Sequence, residues 1–113
     1  GNGLQEKDFI HIDDCLEGIL FALEKSNEII NVFNLGTGTT TSVNKIAKRI
    51  IEKMELKNVN IEYTGGESGW PGDAPKVHYD ITKMKRIGWN PKLLSDDAVE
   101  LAITQVLKNE SKK

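Results

Sequence analysis

The chain is poor in most residues that would give it an immediate class. Of its 113 residues only Cys15 is a cysteine, so no disulfide can form within it. A lone thiol is most often a small buried hydrophobe and fits a reducing compartment. No apolar run approaches the ~18 residues needed to span a bilayer, and no secretory pattern opens the chain. These features lead us to expect a cytoplasmic protein with no membrane partner. Net charge is only −2. The lysines are scattered over helix faces without aromatic interleaving, which argues against nucleic-acid binding. Two histidines and one cysteine fall short of the four or so N/S ligands of a structural zinc site. An initiator methionine is also missing. The opening Gly1-Asn2-Gly3 reads as a tight turn between strands, so we expect a chain cut from something longer.

What is present is ordinary for a globular domain: 38% hydrophobic and 28% charged residues. "DFIHI", residues 8–12, reads as a short strand. Asp14 and Glu17 have capping-box spacing. Leu16, Ile19, Leu20 and Leu23 recur at helical period, predicting a core-facing helix over 14–25. "NVFNL", residues 31–35, reads as a strand ending in Gly36-Thr37-Gly38. Thr41 or Ser42 can cap a helix whose apolar face is Val43, Ile46, Ala47, Ile50 and Met54. Val59, Ile61 and Tyr63 alternate as a third strand. Residues 64–76 hold four of the ten glycines and two of the three prolines, so they form a long loop. Val77 and Tyr79 suggest a further short strand. Asp80 caps a brief helix ended by Gly88. Ser95 caps a last helix with Asp96 and Asp97 in its first turn and a stripe of Val99, Ala102, Ile103, Val106 and Leu107. Strands alternating with helices predict an α/β or α+β class over one domain, residues 1–113.

Three motifs invite a chemical reading. The 36–41 loop follows a strand and precedes a helix, but Thr41 stands where the dinucleotide fingerprint needs its third glycine. The expected acid at the end of the next strand is also missing, since Glu62 falls in mid-strand. The bland reading is a turn that needs two flexible residues. Tyr79 and Lys83 have the Y-x-x-x-K spacing that lets a lysine lower a tyrosine pKa on one helix face. With Asp80 as a helix cap between them, they do not share a face. His11, Asp13, Asp14 and Cys15 are metal-ligand types without a second cluster, and nothing nearby would activate Cys15 as a nucleophile.

Four stretches, in order, resemble a known family: "GNGLQEKDFIHIDDCLEGILFAL", "VFNLGTGTTTSVNKIA", "GWPGDAPKVHYDITKMKRIGWNPK" and the final helix. They are similar to the C-terminal portion of the extended short-chain dehydrogenase/reductases, the NAD-dependent sugar-nucleotide epimerases and dehydratases. The resemblance covers nearly the whole chain. It implies that the cofactor fingerprint and the catalytic Tyr/Lys pair lie upstream, in an N-terminal Rossmann domain absent here. The 36–38 glycines are then a decoy for NAD, and "YDITK" is structural. The resemblance further implies a chain inactive alone that binds no cofactor itself and contains no catalytic residue. Its parent would be a homodimer that moves a hydride from C4 of the sugar to NAD.

What the resemblance leaves in this chain is part of the cradle for a UDP-, dTDP- or GDP-sugar. A basic residue before the "D-[FY]-[IV]-H" strand holds the diphosphate; it is usually Arg and here is Lys7. A second position, often Arg, precedes "x-G-D" and here is Trp70, with Asp73 as the aspartate. Trp70 offers a stacking face in place of charge, and Asp73 offers acceptors to ribose hydroxyls. The bland readings are a solvated Lys7, a Trp70 that plugs the core and an Asp73 that shapes its turn. Two alternatives stand beside this one. One is a freestanding non-catalytic domain for a nucleotide or a protein; the other is a minimal NAD-binding domain using the 36–41 loop.

Overall fold

The computed structural model describes residues 1–112 as a mixed α/β unit. Its sheet is small. β1 (Glu6–Lys7) is central, flanked antiparallel by β2 (Thr41–Ser42) and parallel by β3 (Lys76–Val77). The pairing Glu6–Ser42 and Lys7–Thr41 on one side meets Glu6–Lys76 and Lys7–Val77 on the other. Around this strip lie α1 (Ile12–Lys25), α2 (Val43–Lys53), α3 (Thr82–Arg86) and α4 (Ser95–Glu110).

The helices fall close to where periodicity puts them; the strands mostly do not. Residues 8–12, 31–35 and 59–63 form no strands, and pairing at β3 stops at Val77 before Tyr79. β-pattern describes a half-buried ribbon and cannot say whether a partner strand lies within reach. α2 starts as expected, with the Ser42 hydroxyl accepting from the Lys45 N–H at 3.2 Å. At α3, Asp80 accepts from the Thr82 N–H at 2.8 Å, and Gly88 follows the last turn at φ 102°. α4 begins at Ser95, but Ser95 does not cap it. Its N–H instead donates to the Thr39 hydroxyl at 2.9 Å, 56 residues away. Asp96 and Asp97 occupy its first turn as predicted. Of the apolar stripe on this helix Ile103 is buried, while Ala102 and Val106 are exposed.

α1 departs furthest from expectation. It begins at Ile12, and His11 is its cap, its Nδ1 accepting from the Asp13 N–H at 3.3 Å. Asp14 is no cap. It is buried and accepts from the N–H groups of Lys92 and Leu93, each at 3.0 Å. The helix turns Asp14 and Gly18 inward, and the predicted core stripe of Leu16, Ile19, Leu20 and Leu23 faces outward. Gly18 is the packing point. A Cβ there would stand 2.6 Å from the Leu35 methyl and 3.1 Å from the Trp89 ring, so any larger residue would have to push Leu35 aside and press on the indole.

The core is correspondingly thin: Ile81, Met84, Trp89, Ala98 and Ile103. The body measures 55 × 36 × 20 Å with a radius of gyration of 16.8 Å, where a compact domain of this length would have about 13 Å. Its surface is 8072 Å², against about 6,200 Å² for a compact monomer of 12.6 kDa. The surplus includes the outward stripe of α1 and, just after it, the exposed Ile29, Ile30 and Val32.

Candidate functional site

The glycine loop after residue 35 fails as an anion cradle for a specific reason. The Asp8 carboxylate already lies in it. Asp8 Oδ1 accepts from the Thr37 N–H and the Thr37 hydroxyl, both at 2.8 Å, and Oδ2 accepts from the Gly38 N–H at 2.8 Å. The amides a pyrophosphate would need are spent on an internal anion, which would also repel a second one. A Cβ on Gly36 would stand 2.8 Å from Asp8 Oδ2 and 3.0 Å from Tyr79 Cβ, so that glycine serves close packing. The NAD reading of 36–41 is therefore corrected by the structure: the loop does not fit the cofactor. It continues into a hydroxyl network, in which Thr39 supports α4 and Thr41 shares a hydrogen bond with Ser95 at 2.8 Å.

The other two motifs also resolve into structural roles. Tyr79 lies outside α3, while the Lys83 ammonium donates to the Val32 carbonyl at 2.9 Å and sits 4.6 Å from the Phe33 ring centre. His11 is buried, with Nε2 3.1 Å from Gln105 Oε1, and Asp14 is committed to the 92–93 turn.

Lys7, Trp70 and Asp73 do come together. They are brought there by β1, which carries Lys7 beside β3, and by a loop pinned back onto β1. Gln5 Nε2 donates to the Glu67 carbonyl at 2.7 Å, and the Glu6 N–H donates to the Pro75 carbonyl at 2.8 Å. Within the loop the Asp73 N–H donates to the Trp70 carbonyl at 3.0 Å, closing a turn that faces Trp70 toward Lys7. The Lys7 ammonium donates to Asp73 Oδ1 and lies 4.8 Å from the Trp70 ring centre, a cation–π distance. Asp73 Oδ2 accepts from the Gly69 N–H at 3.0 Å. The Lys7 hydrogen bond, then the Gly69 N–H, hold the Asp73 carboxyl below the usual aspartate range.

These three residues line one open cleft of about 420 Å³. Its floor is apolar, from Phe9, Val43, Ala47 and Ile61. Asn44 and Tyr63 add polar groups at its wall, the Tyr63 hydroxyl donating to Asn44 Oδ1 at 2.7 Å. Sequence reasoning missed this pair. Tyr63 looked like the third position of a strand, and Asn44 lay among cap residues of α2. A flat indole 62% exposed, an ammonium and an apolar floor can together take a planar polar ring with an anionic group beside it.

Residues 1–36 match the profile of the NAD dependent epimerase/dehydratase family. Among individual proteins, the chain is 36% identical to the UDP-glucose 4-epimerase of Bacillus subtilis over 94 residues, 80% of this chain and 26% of that enzyme. Its fold matches the UDP-glucose 4-epimerase of Thermotoga maritima, solved with UDP-glucose, with a TM-score of 0.76 and 30% identity over 96% of this chain and 34% of that one. It also matches the UDP-glucuronic acid 4-epimerase of Bacillus cereus, solved with UDP-glucuronic acid and NAD, with a TM-score of 0.71 and 30% identity over 94% of this chain and 34% of that one. Along nearly all its length, then, the chain is similar in sequence and fold to part of the NAD-dependent sugar-nucleotide epimerases and dehydratases. It spans about a quarter to a third of the length of the relatives it matches.

Proposed function

We propose that this chain corresponds to the C-terminal, sugar-nucleotide-holding portion of an NAD-dependent epimerase or dehydratase, and that the cleft of Lys7, Trp70 and Asp73 is its share of the substrate site. The observation that carries this is convergence. Two loop residues and a strand residue 66 positions from Asp73 meet at one cleft, and the two solved structures named above hold UDP-sugars. Lys7 supplies a positive charge for the diphosphate. Trp70 supplies a face for a base or sugar ring.

In this reading NAD belongs to the whole enzyme and is held by residues outside this chain, where it would accept the hydride. Residues 1–112 contribute binding only. The outward apolar face of α1 supports the same reading. A freestanding module of this size would bury such a stripe, whereas one part of a larger body would leave it for the rest to cover. The homodimer implied by the resemblance belongs to the same proposal.

An amide-shift titration of the 113-residue chain with UDP-, dTDP- and GDP-glucose tests the site. The expected result is a saturable shift centred on Lys7, Trp70, Asp73 and Asn44 for one or more of these sugars. Shifts confined to other residues, or none at millimolar ligand, would overturn it.

A further inference from the structure

Asp73 holds both of its oxygens inside the protein. One accepts from the Lys7 ammonium, the other from the Gly69 N–H. Its side chain is only 2% exposed, while Lys7 keeps 25% of its own surface open toward the cleft. A carboxylate so committed is poorly placed to receive a ligand's hydroxyls. It is very well placed to neutralise the cation beside it. The geometry points to Asp73 as an internal competitor for the anion: it holds Lys7 in a closed ion pair that a ligand's diphosphate must open, so Asp73 sets how much of the cleft's selectivity comes from charge and how much from Trp70. This rests on the cleft being the nucleotide site proposed above, but its electrostatic core can be tested separately.

The reasoning is one of competing partners. An arginine presents five donors in a fork and can serve two acceptors at once. Lys7 is a compact ammonium whose charge is largely cancelled by the adjoining carboxylate. An incoming diphosphate therefore meets a nearly neutral pair, with Trp70 stacked beside it at 4.8 Å. Binding must exchange one ion pair for another, and such an exchange gains little in water. Stacking and the apolar floor are then left to discriminate among ligands. Removing the charge of Asp73 while keeping its shape leaves Lys7 free to attract anions.

The two roles open to Asp73 predict opposite signs. If it accepts from ribose hydroxyls, Asp73→Asn weakens every ribose-bearing ligand, phosphate or not. If it competes for Lys7, the same change tightens only the phosphate-bearing ones. The experiment measures affinities of wild-type and Asp73→Asn chains for uridine, UDP and inorganic pyrophosphate by amide-shift titration, at low and moderate salt. We expect UDP and pyrophosphate to bind three- to tenfold more tightly to the variant, with steeper salt dependence and shifts at Lys7, and uridine to stay within twofold. Lys7→Gln in the variant should abolish the gain. Unchanged or weakened UDP and pyrophosphate binding in Asp73→Asn overturns the proposal. Pyrophosphate captured at Lys7 by the variant, with uridine and UDP-glucose bound by neither chain, keeps the competitor role and removes the nucleotide site. Uridine bound by both chains, without the gain for phosphates, does the reverse. Asn can keep the Gly69 N–H bond, and unchanged amide shifts around buried Trp89 confirm that the variant folds.

Discussion

Two glycine-bearing loops in this molecule are each gripped by an aspartate, and the grips differ in kind. At 36–38 the partners of Asp8 are two backbone N–H groups and a hydroxyl, all uncharged and interior. At 69–73 the partners of Asp73 are one backbone N–H and an ammonium at the edge of a cleft. The first loop has the motif and no room for a ligand. The second carries only the short x-G-D of the resemblance and opens onto the cleft. What separates structural peg from site residue is the charge of the partner and its access to solvent, neither of which a spacing pattern contains.

The largest effect that would sharpen this contrast is expected at Asp8. Asp8→Ala strands the Thr37 and Gly38 amides, each costing about 1–3 kcal/mol, while the Thr37 hydroxyl can still donate to the Thr39 carbonyl at 3.1 Å, so a loss on the order of 3 kcal/mol is expected in a urea titration. A loss below about 1 kcal/mol would mean that water replaces the carboxylate and that the loop is open to anions after all. Gly36→Ala should follow, at roughly 1–3 kcal/mol, because its Cβ presses on Asp8 and Tyr79. By contrast Trp70→Ala should leave the urea midpoint nearly unchanged and weaken nucleotide binding by about 1–3 kcal/mol. A large stability loss there would return Trp70 to the role of core plug.

The pH dependence of Asp73 is a smaller effect with a definite sign. Its carboxyl is held below the ordinary value of 3.8, chiefly by the Lys7 hydrogen bond. The folded state therefore binds its proton less readily than the unfolded state. The resulting stability is present above the unfolded pKa and lost as pH falls through the folded one. Asp73→Asn should flatten the stability profile of the chain below about pH 4 relative to wild type, and identical slopes would show that the ion pair is not formed in solution. Smallest of all should be Leu20→Ser on α1. With Leu20 67% exposed, the isolated chain should change by within about 0.5 kcal/mol. Had the stripe faced the core, the cost of truncation would be about 2–5 kcal/mol.

That last contrast also marks where the sequence was legible. α2, α3 and α4 stood out because the Ser42 cap of α2, the glycine stop after α3 and the acidic first turn of α4 are local features. α1 was legible as a helix and was misjudged in orientation. Periodicity reveals an apolar stripe but not the body that covers it, and here the face turned inward is centred on Asp14 and Gly18, with Cys15, Phe21 and Ala22 half-buried beside them. The strands at 8–12, 31–35 and 59–63 failed because pairing is decided by neighbours far along the chain. Lys7, Trp70 and Asp73 came from the family resemblance, and no spacing rule joins positions 7 and 73. Asp8 as the occupant of the glycine loop, and Thr39 as the support of α4, were hidden for the same reason.

The two tryptophans sit in opposite environments, Trp89 2% exposed against Gly18 and Trp70 62% exposed under an ammonium. The molecule thus carries two optical reporters with separate duties. Blue-edge emission from Trp89 follows the integrity of the core, and red-edge emission, reached by acrylamide, follows the cleft. A single emission spectrum resolved into these two bands would let one cuvette distinguish a ligand that fills the cleft from a condition that loosens the fold.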